Sequence, residues 1–272
     1  MATKKNTNVP ATTEDKTTLP VAADAYDDFV GDGFEGQTQE DIAIPFVNLL
    51  QAMSPEVQDD GVEGAKPGML MNSVTQELYK EIEFVPAFSK HVFVEWVPRD
   101  QGGGIVESHS IDSDLVRSAR AEQKFGAYKT PNGNDLIETF YLFGVVSVDG
   151  NAQGMAVLAF TSTKIKSYKA MMTRLRTFTM LQDDGRRVSP PMFAHLLRIS
   201  TKQQKNTKGT FYVPIVQPAV ENDVSKSLIG TDDIRFQMAR ECYELVKEGQ
   251  AHEDTSTAEK RVEADPEDDM PF

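Results

Sequence analysis

Eleven lysines and arginines fall between residues 160 and 212: Lys164, Lys166, Lys169, Arg174, Arg176, Arg186, Arg187, Arg198, Lys202, Lys205 and Lys208. Only Asp183 and Asp184 oppose them, so the segment carries a net charge of +9. Tyr168, Phe178, Phe193, Phe211 and Tyr212 are interleaved with these cations. That combination suits a single-stranded nucleic acid. Cationic side chains track the phosphates, and aromatic faces stack bases at about 1–3 kcal/mol per base. The candidate contacts are Lys164, Lys166, Lys169, Arg174, Arg176, Arg186, Arg187, Lys202, Lys205 and Lys208, with Tyr168, Tyr212 and, from an earlier strand, Trp96 as candidate stacking rings. Phe178 and Phe193 suit core packing instead.

Other chemistries find less support. Gly31-Asp32-Gly33-Phe34-Glu35-Gly36 matches G-x-G-x-x-G, but it follows no strand, opens no helix and puts two acids where a pyrophosphate needs positive potential. The turn Asp149-Gly150-Asn151 imitates part of a calcium loop, yet Gln153 follows and the distant Glu is missing. The sequence has no P-loop, H-E-x-x-H, C-x-x-C or G-x-S-x-G motif. A single cysteine, Cys242, excludes an internal disulfide and a Cys-based zinc finger, and His91, His109, His195 and His252 are scattered. The expectation is therefore a binding protein without catalysis, cofactor or metal. A metal-dependent nuclease is the enzymatic alternative, because its carboxylates are assembled in space.

The elements that must position these residues are legible from periodicity. Residues 44–53 place Pro45 at the first turn of a helix and space apolar residues helically, predicting a helix closed by Pro55. Residues 81–88 and 91–97 alternate as strands, the second with Val92, Val94 and Trp96 on one face, after a turn at 74–77. A helix is expected at 112–125 and a turn at 131–134. The nearly continuous apolar run 139–148 suits a strand buried on both faces, turning at 149–151 into a hairpin partner at 155–160. Ser162 or Thr163 caps a helix at 163–180 whose stripe is Ile165, Tyr168, Met172, Leu175 and Phe178. Residues 193–200 and 210–216 read as paired strands joined by a long basic loop at 201–209, with Pro214 marking an edge. Thr231 caps a last helix to 247, with Ile234, Met238, Cys242 and Leu245 on one face. The fold class is α+β and β-rich.

The 272 residues carry a formal charge of −14, concentrated at the two ends. Residues 1–43 and 251–272 are each net −6, leaving −2 for 44–250. An acidic total thus conceals a basic surface between acidic arms. With 39% apolar residues, a core is affordable only if part of the chain stays unfolded. The expected organisation is a disordered acidic arm at 1–41, a nucleic-acid-binding core at 42–250 and a disordered acidic tail at 251–272. No apolar run approaches the roughly 18–20 residues of a membrane span. The N-terminus lacks a secretory apolar region. A soluble, cytoplasmic protein of a reducing compartment is expected.

The chain ends in Asp268-Asp269-Met270-Pro271-Phe272. This resembles the acidic tip of bacterial and phage single-stranded DNA-binding proteins, which ends Asp-Asp-apolar-Pro-Phe; Met270 stands where the bacterial tip commonly has Ile. The resemblance implies a tip that docks onto replication, recombination and repair proteins. Phe272 would fill an apolar pocket, its α-carboxylate would meet a basic residue, and Asp268 and Asp269 would meet a basic rim. It also implies an oligonucleotide-binding (OB)-like barrel in 42–250 with added helices, although that segment is long for one barrel and its strand order does not map simply. The stretches Ile44-Pro45-Phe46, Lys66-Pro67-Gly68 and Glu95-Trp96-Val97-Pro98-Arg99 resemble phage-encoded proteins of this size. The leading expectation is a phage protein that sequesters single-stranded DNA and recruits partners through its tail. A strand-annealing mediator, forming homo-oligomeric rings, and an adaptor working through the tail alone are the alternatives.

Overall fold

The computed structural model describes Gly33 and residues 43–58, 61–122, 128–207, 209–249 and 252–253. The chain divides into Met1–Thr38 and Gln39–Phe272, and every element below belongs to the second unit. In chain order these are β1 (Ala43–Ile44), β2 (Val47–Leu49), β3 (Leu70–Asn72), β4 (Leu78–Tyr79), β5 (Ile82–Trp96), β6 (Ile105–Ser110), α1 (Asp114–Glu122), β7 (Tyr128–Lys129) and β8 (Asp135–Val148). There follow β9 (Asn151–Thr161), α2 (Ile165–Thr177), β10 (Met180–Leu181), β11 (Arg187–Val188), β12 (Leu197–Lys205), β13 (Thr210–Pro218), α3 (Ile234–Lys247) and β14 (His252–Glu253). The protein is β-rich α+β, as its periodicity predicts.

The main sheet has seven strands, all antiparallel, on the path β13-β12-β5-β8-β7, with β6 added to β5 and β9 added to β8. β8 lies at its centre because residues 139–147 are buried on both faces, which only a doubly covered strand tolerates. The two strands expected at 81–88 and 91–97 are one long strand, β5, whose register to β8 shifts between Pro86 and Phe88. The shift lets one strand change direction without breaking its ladder. Beside it, a Cβ on Gly144 would lie 2.2 Å from the Val85 carbonyl oxygen and 2.7 Å from the Phe84 ring.

The two faces of the sheet are covered differently. Val85, Val92, Val94, Phe143 and Val145 form one core face, on which α3 lays Ala239 and Cys242. Phe84, Phe140, Leu142 and Val146 form the other, covered by Tyr168 of α2 and by Val47 and Leu70 of the small β2-β3-β4 sheet. At the far end, Val116 and Ala119 of α1 close over Phe93 and Leu136. Helix α3 is capped by Asp233, whose carboxylate accepts the Arg235 backbone N–H, rather than by Thr231. The Arg235 side chain then joins Asp233 to Glu83 on β5.

The helix expected at 44–53 is absent. That segment is extended: Val157 donates its N–H to the Pro45 carbonyl, and Val47–Leu49 pair with β3. Among the described residues the ladders do not close into a barrel. The return from the β2 end to β13 runs through one side chain: buried Gln51 donates Nε2 to the Tyr212 carbonyl and accepts the Tyr212 N–H, both at 2.9 Å. Edge strand β13, where Pro214 sits as expected, thus has the outward main-chain groups of Tyr212 met by an amide instead of a strand.

Two predictions follow from this packing. Gly144→Ala forces a methyl into the β5–β8 contact and destabilises the protein by about 3 kcal/mol or more, read from urea unfolding. The second concerns His195, which is 2% exposed and has no hydrogen-bond partner for Nδ1 among the described residues. Burial pushes its imidazole down to about 4. The unfolded chain takes up this proton near pH 6.5 and the folded chain only near 4, so the contribution is complete above 6.5 and is lost as pH falls toward 4. His195→Leu therefore removes on the order of 3 kcal/mol of acid sensitivity across that window, measured as unfolding free energy against pH.

Candidate nucleic-acid interface

Helix α2 brings the expected cations to the surface. The turn Ser162–Lys164 leads into it, and Tyr168, Met171 and Leu175 face the core. At about 100° per residue, Lys166, Lys169 and Arg176 fall within an arc of about 80° on one exposed flank. Arg174 lies on the other flank and is engaged, donating Nη1 to the Asn222 Oδ1 and Nη2 to the Asn222 carbonyl, both at 2.8 Å. It fixes a loop. Lys164 is half-buried on a third side of the helix start.

Beside the Lys166–Lys169–Arg176 flank lies an aromatic stack. The His91 imidazole sits on the Phe140 ring with centroids 4.0 Å apart and planes at 16°. These two residues are direct cross-strand partners of β5 and β8. Lys169 Nζ lies over the same Phe140 ring at 5.1 Å. Glu138 joins the group: its Oε1 is 3.0 Å from His91 Nε2 and 3.8 Å from Lys169 Nζ. The His91 side chain is 31% exposed, with the Phe93 ring 6.1 Å away, so part of the imidazole is presented to solvent. An imidazole held against a phenyl ring, with ammonium and guanidinium groups on the adjoining helix, can stack a base and meet its phosphates.

The structure redistributes the remaining candidates. Tyr168 is a core ring, held between Phe140 and Phe160 and hydrogen-bonded to Ser89, and burial pushes its phenol up. It supports the stack from below and is closed to a base. Trp96 lies with Val92 and Val94 on the α3 face, the opposite side of the sheet from α2. Tyr212 lies over Gly68, where a Cβ would come 2.5 Å from its ring, so it packs. The basic loop expected at 201–209 is mostly ladder: β12 and β13 stay paired to Lys205 and Thr210. Lys202 and Lys205 are exposed on strand β12, pointing to opposite faces. β13 also touches α2 and the 162–164 turn, which joins the hairpin to the helix. Arg186 is bound to Asp184, donating Nε to Oδ2 at 2.6 Å. Arg187 is exposed. Lys208 and Asp268, Asp269, Met270, Pro271 and Phe272 lie outside the described residues.

A second carboxylate–imidazole pair shows what a closed arrangement looks like. Glu95 is 7% exposed; its Oε2 lies 2.7 Å from His109 Nε2 and its Oε1 accepts from Asn134 Nδ2 at 2.6 Å. Burial pushes the Glu95 carboxyl up, but the Asn134 and His109 hydrogen bonds outweigh it and hold it below the usual range. Every oxygen is used, so this cluster tethers β6 and the 130–134 turn. No group of three or more metal-ligating side chains is found among the described residues. Cys242 is buried, with its thiol pushed up to about 12 by burial and by Glu241. No helix among the described residues is long and apolar enough to cross a membrane.

His91 and Phe140 carry no signal in the sequence. They lie far apart in the chain, and only the β5–β8 register makes them neighbours. No curated protein and no solved structure matches the chain. The family model described as Pam3 phage gp34-like protein matches residues 13–252, a span that holds every element from β1 through α3 and stops short of the Asp268–Phe272 tip. The match covers most of the chain, and the chain belongs to the Pam3 phage gp34-like family.

Proposed function

We propose that this phage protein binds and protects single-stranded DNA during replication and recombination in the host cytoplasm, and recruits partner enzymes through its acidic tip at Asp268–Phe272. The observation that carries the reading is the cationic flank Lys166, Lys169 and Arg176 set beside the His91–Phe140 stack. On this reading the sheet serves as an OB-like barrel open along one seam, with Gln51 bridging the gap. The protein acts by occupancy, not by catalysis: bases stack and phosphates exchange their counterions for fixed cations.

Fluorescence anisotropy of a labelled dT oligonucleotide against salt tests the reading. The full chain should bind with a negative log–log slope, and replacing Lys166, Lys169 and Arg176 by Ala should each remove about 0.7 from its magnitude. His91→Ala should weaken binding by about 5-fold to 100-fold. Arg240→Ala, on α3 across the sheet, should leave both quantities unchanged. Absence of binding at low salt overturns the proposal and leaves the adaptor role.

The tail gives a second prediction. Residues 254–272 hold seven acids against Lys260 and Arg261 and can compete with DNA for the same cations. Deleting them, while keeping His252–Glu253 paired to Ala43–Ile44, should tighten dT binding and abolish partner recruitment. Unchanged affinity removes the competition and leaves DNA binding intact.

A further inference from the structure

Two residues beyond the end of α2, the chain forms a small hairpin, β10 with β11, which places apolar side chains in solvent. Leu181 is 67% exposed and Met180 is 40% exposed. The register pairs Leu181 directly with Arg187 and Met180 with Val188. Directly opposed residues share a face with Cβ atoms about 5 Å apart, so Leu181 and Arg187 stand side by side. The turn is held by its own bonds: Gln182 donates its N–H to the Arg186 carbonyl, and Arg186 donates both its N–H and Nε to the Asp184 carboxylate. These bonds stiffen a two-residue ladder that would be marginal alone. They also neutralise Asp184. Among the described residues Arg187 has a hydroxyl partner, Thr179 Oγ1 at 3.3 Å, and no carboxylate.

We propose that the hairpin Met180–Val188 is a wedge for the bound strand: Leu181 enters between neighbouring bases and unstacks them, while Arg187 takes the adjoining phosphate. This rests on the single-stranded DNA reading. Three observations converge on a nucleic-acid occupant. The apolar side chain is paired with a cation, as in apolar wedges inserted at base steps. The hairpin continues directly from the helix that carries Lys166, Lys169 and Arg176. And Arg176, exposed near the end of that helix, and Arg187, exposed on the hairpin, leave two cations near Leu181 for phosphate.

The test uses the full chain and an adenine-rich oligonucleotide with one 2-aminopurine between adenines. Binding should raise the 2-aminopurine fluorescence as its neighbours unstack. Leu181→Ala should lose most of that rise while anisotropy still reports binding within about tenfold of the parent. Arg187→Ala should lower the salt slope by about 0.7. Val106→Ala, at an exposed apolar residue on β6, should keep the full rise. An unchanged rise with Leu181→Ala overturns the wedge, as does a change in its oligomeric mass by light scattering, which would make the hairpin a contact between copies. If the parent chain binds neither this probe nor dT, the DNA-binding reading itself fails, a result distinct from loss of the wedge alone.

Discussion

The antiparallel pairing of β5 with β8 sets the position of nearly everything else. It runs from Glu83 opposite Ser147 to Trp96 opposite Asp135, and five further strands are added around it. A one-residue slip would exchange the faces of one strand against the other, sending Phe84 to the α3 side and Val85 to the α2 side while Phe140 and Tyr141 kept their places. The shift at Pro86–Phe88 and the missing side chain at Gly144 are where that pairing is most constrained, because the backbones come too close there for a methyl group. The same register creates the His91–Phe140 stack. The candidate interface is therefore a direct product of the scaffold, with its rings on strands rather than on loops.

The division of labour between the faces follows from what covers them. Helix α3 seals its face with Ala239 and Cys242, and Phe193 packs edge-on against Phe236 at its margin, leaving beside it an open groove of about 670 Å³. On the other face, the buried stripe of helix α2 uses Tyr168, Met171 and Leu175, while its exposed flank is cationic and Lys169 reaches the half-exposed His91–Glu138 pair. A net charge of −14 does not oppose this, since potential at a surface follows the nearest charges and the acidic excess lies mostly at the chain ends.

How far the sequence could be read depended on whether a residue's role was local. The run 139–148 had to be a central strand, and the 149–151 turn had to return it, because both signals are contained in one hairpin. Residues 44–53 misled because Pro45 and the spacing of Ile44, Phe46, Leu49 and Leu50 fit a helix equally well; pairing with β3 and the bond from Val157 decided the matter. Residues 202–205 read as loop because Lys and Gln dominate, yet the ladder to Phe211 and Tyr212 continues through them. Of the interface, the cationic flank of α2 was legible from composition. The rings were not: Tyr168 and Tyr212 pack, Trp96 faces the other way, and the His91–Phe140 stack arises from strand register, which a periodicity does not encode.

On the proposed single-stranded DNA reading, Glu138 gives the candidate interface its remaining logic. A carboxylate among cations that are to meet phosphate looks counterproductive, since it cancels part of their field. Its two contacts are unequal, at 3.0 Å to His91 and 3.8 Å to Lys169. The shorter one orients the imidazole ring flat on Phe140, which is what a stacking surface requires. The longer one is a solvent-exposed ion pair worth only about 0–1 kcal/mol, weak enough for an arriving phosphate to replace. Held by Glu138 in the free protein, Lys169 stays near the stack instead of ranging over its rotamers, and less conformational entropy is left to lose on binding. The carboxylate thus exchanges a little long-range attraction for a ring and an ammonium already in place, a favourable exchange where salt screens the long-range field but not the stacking contact.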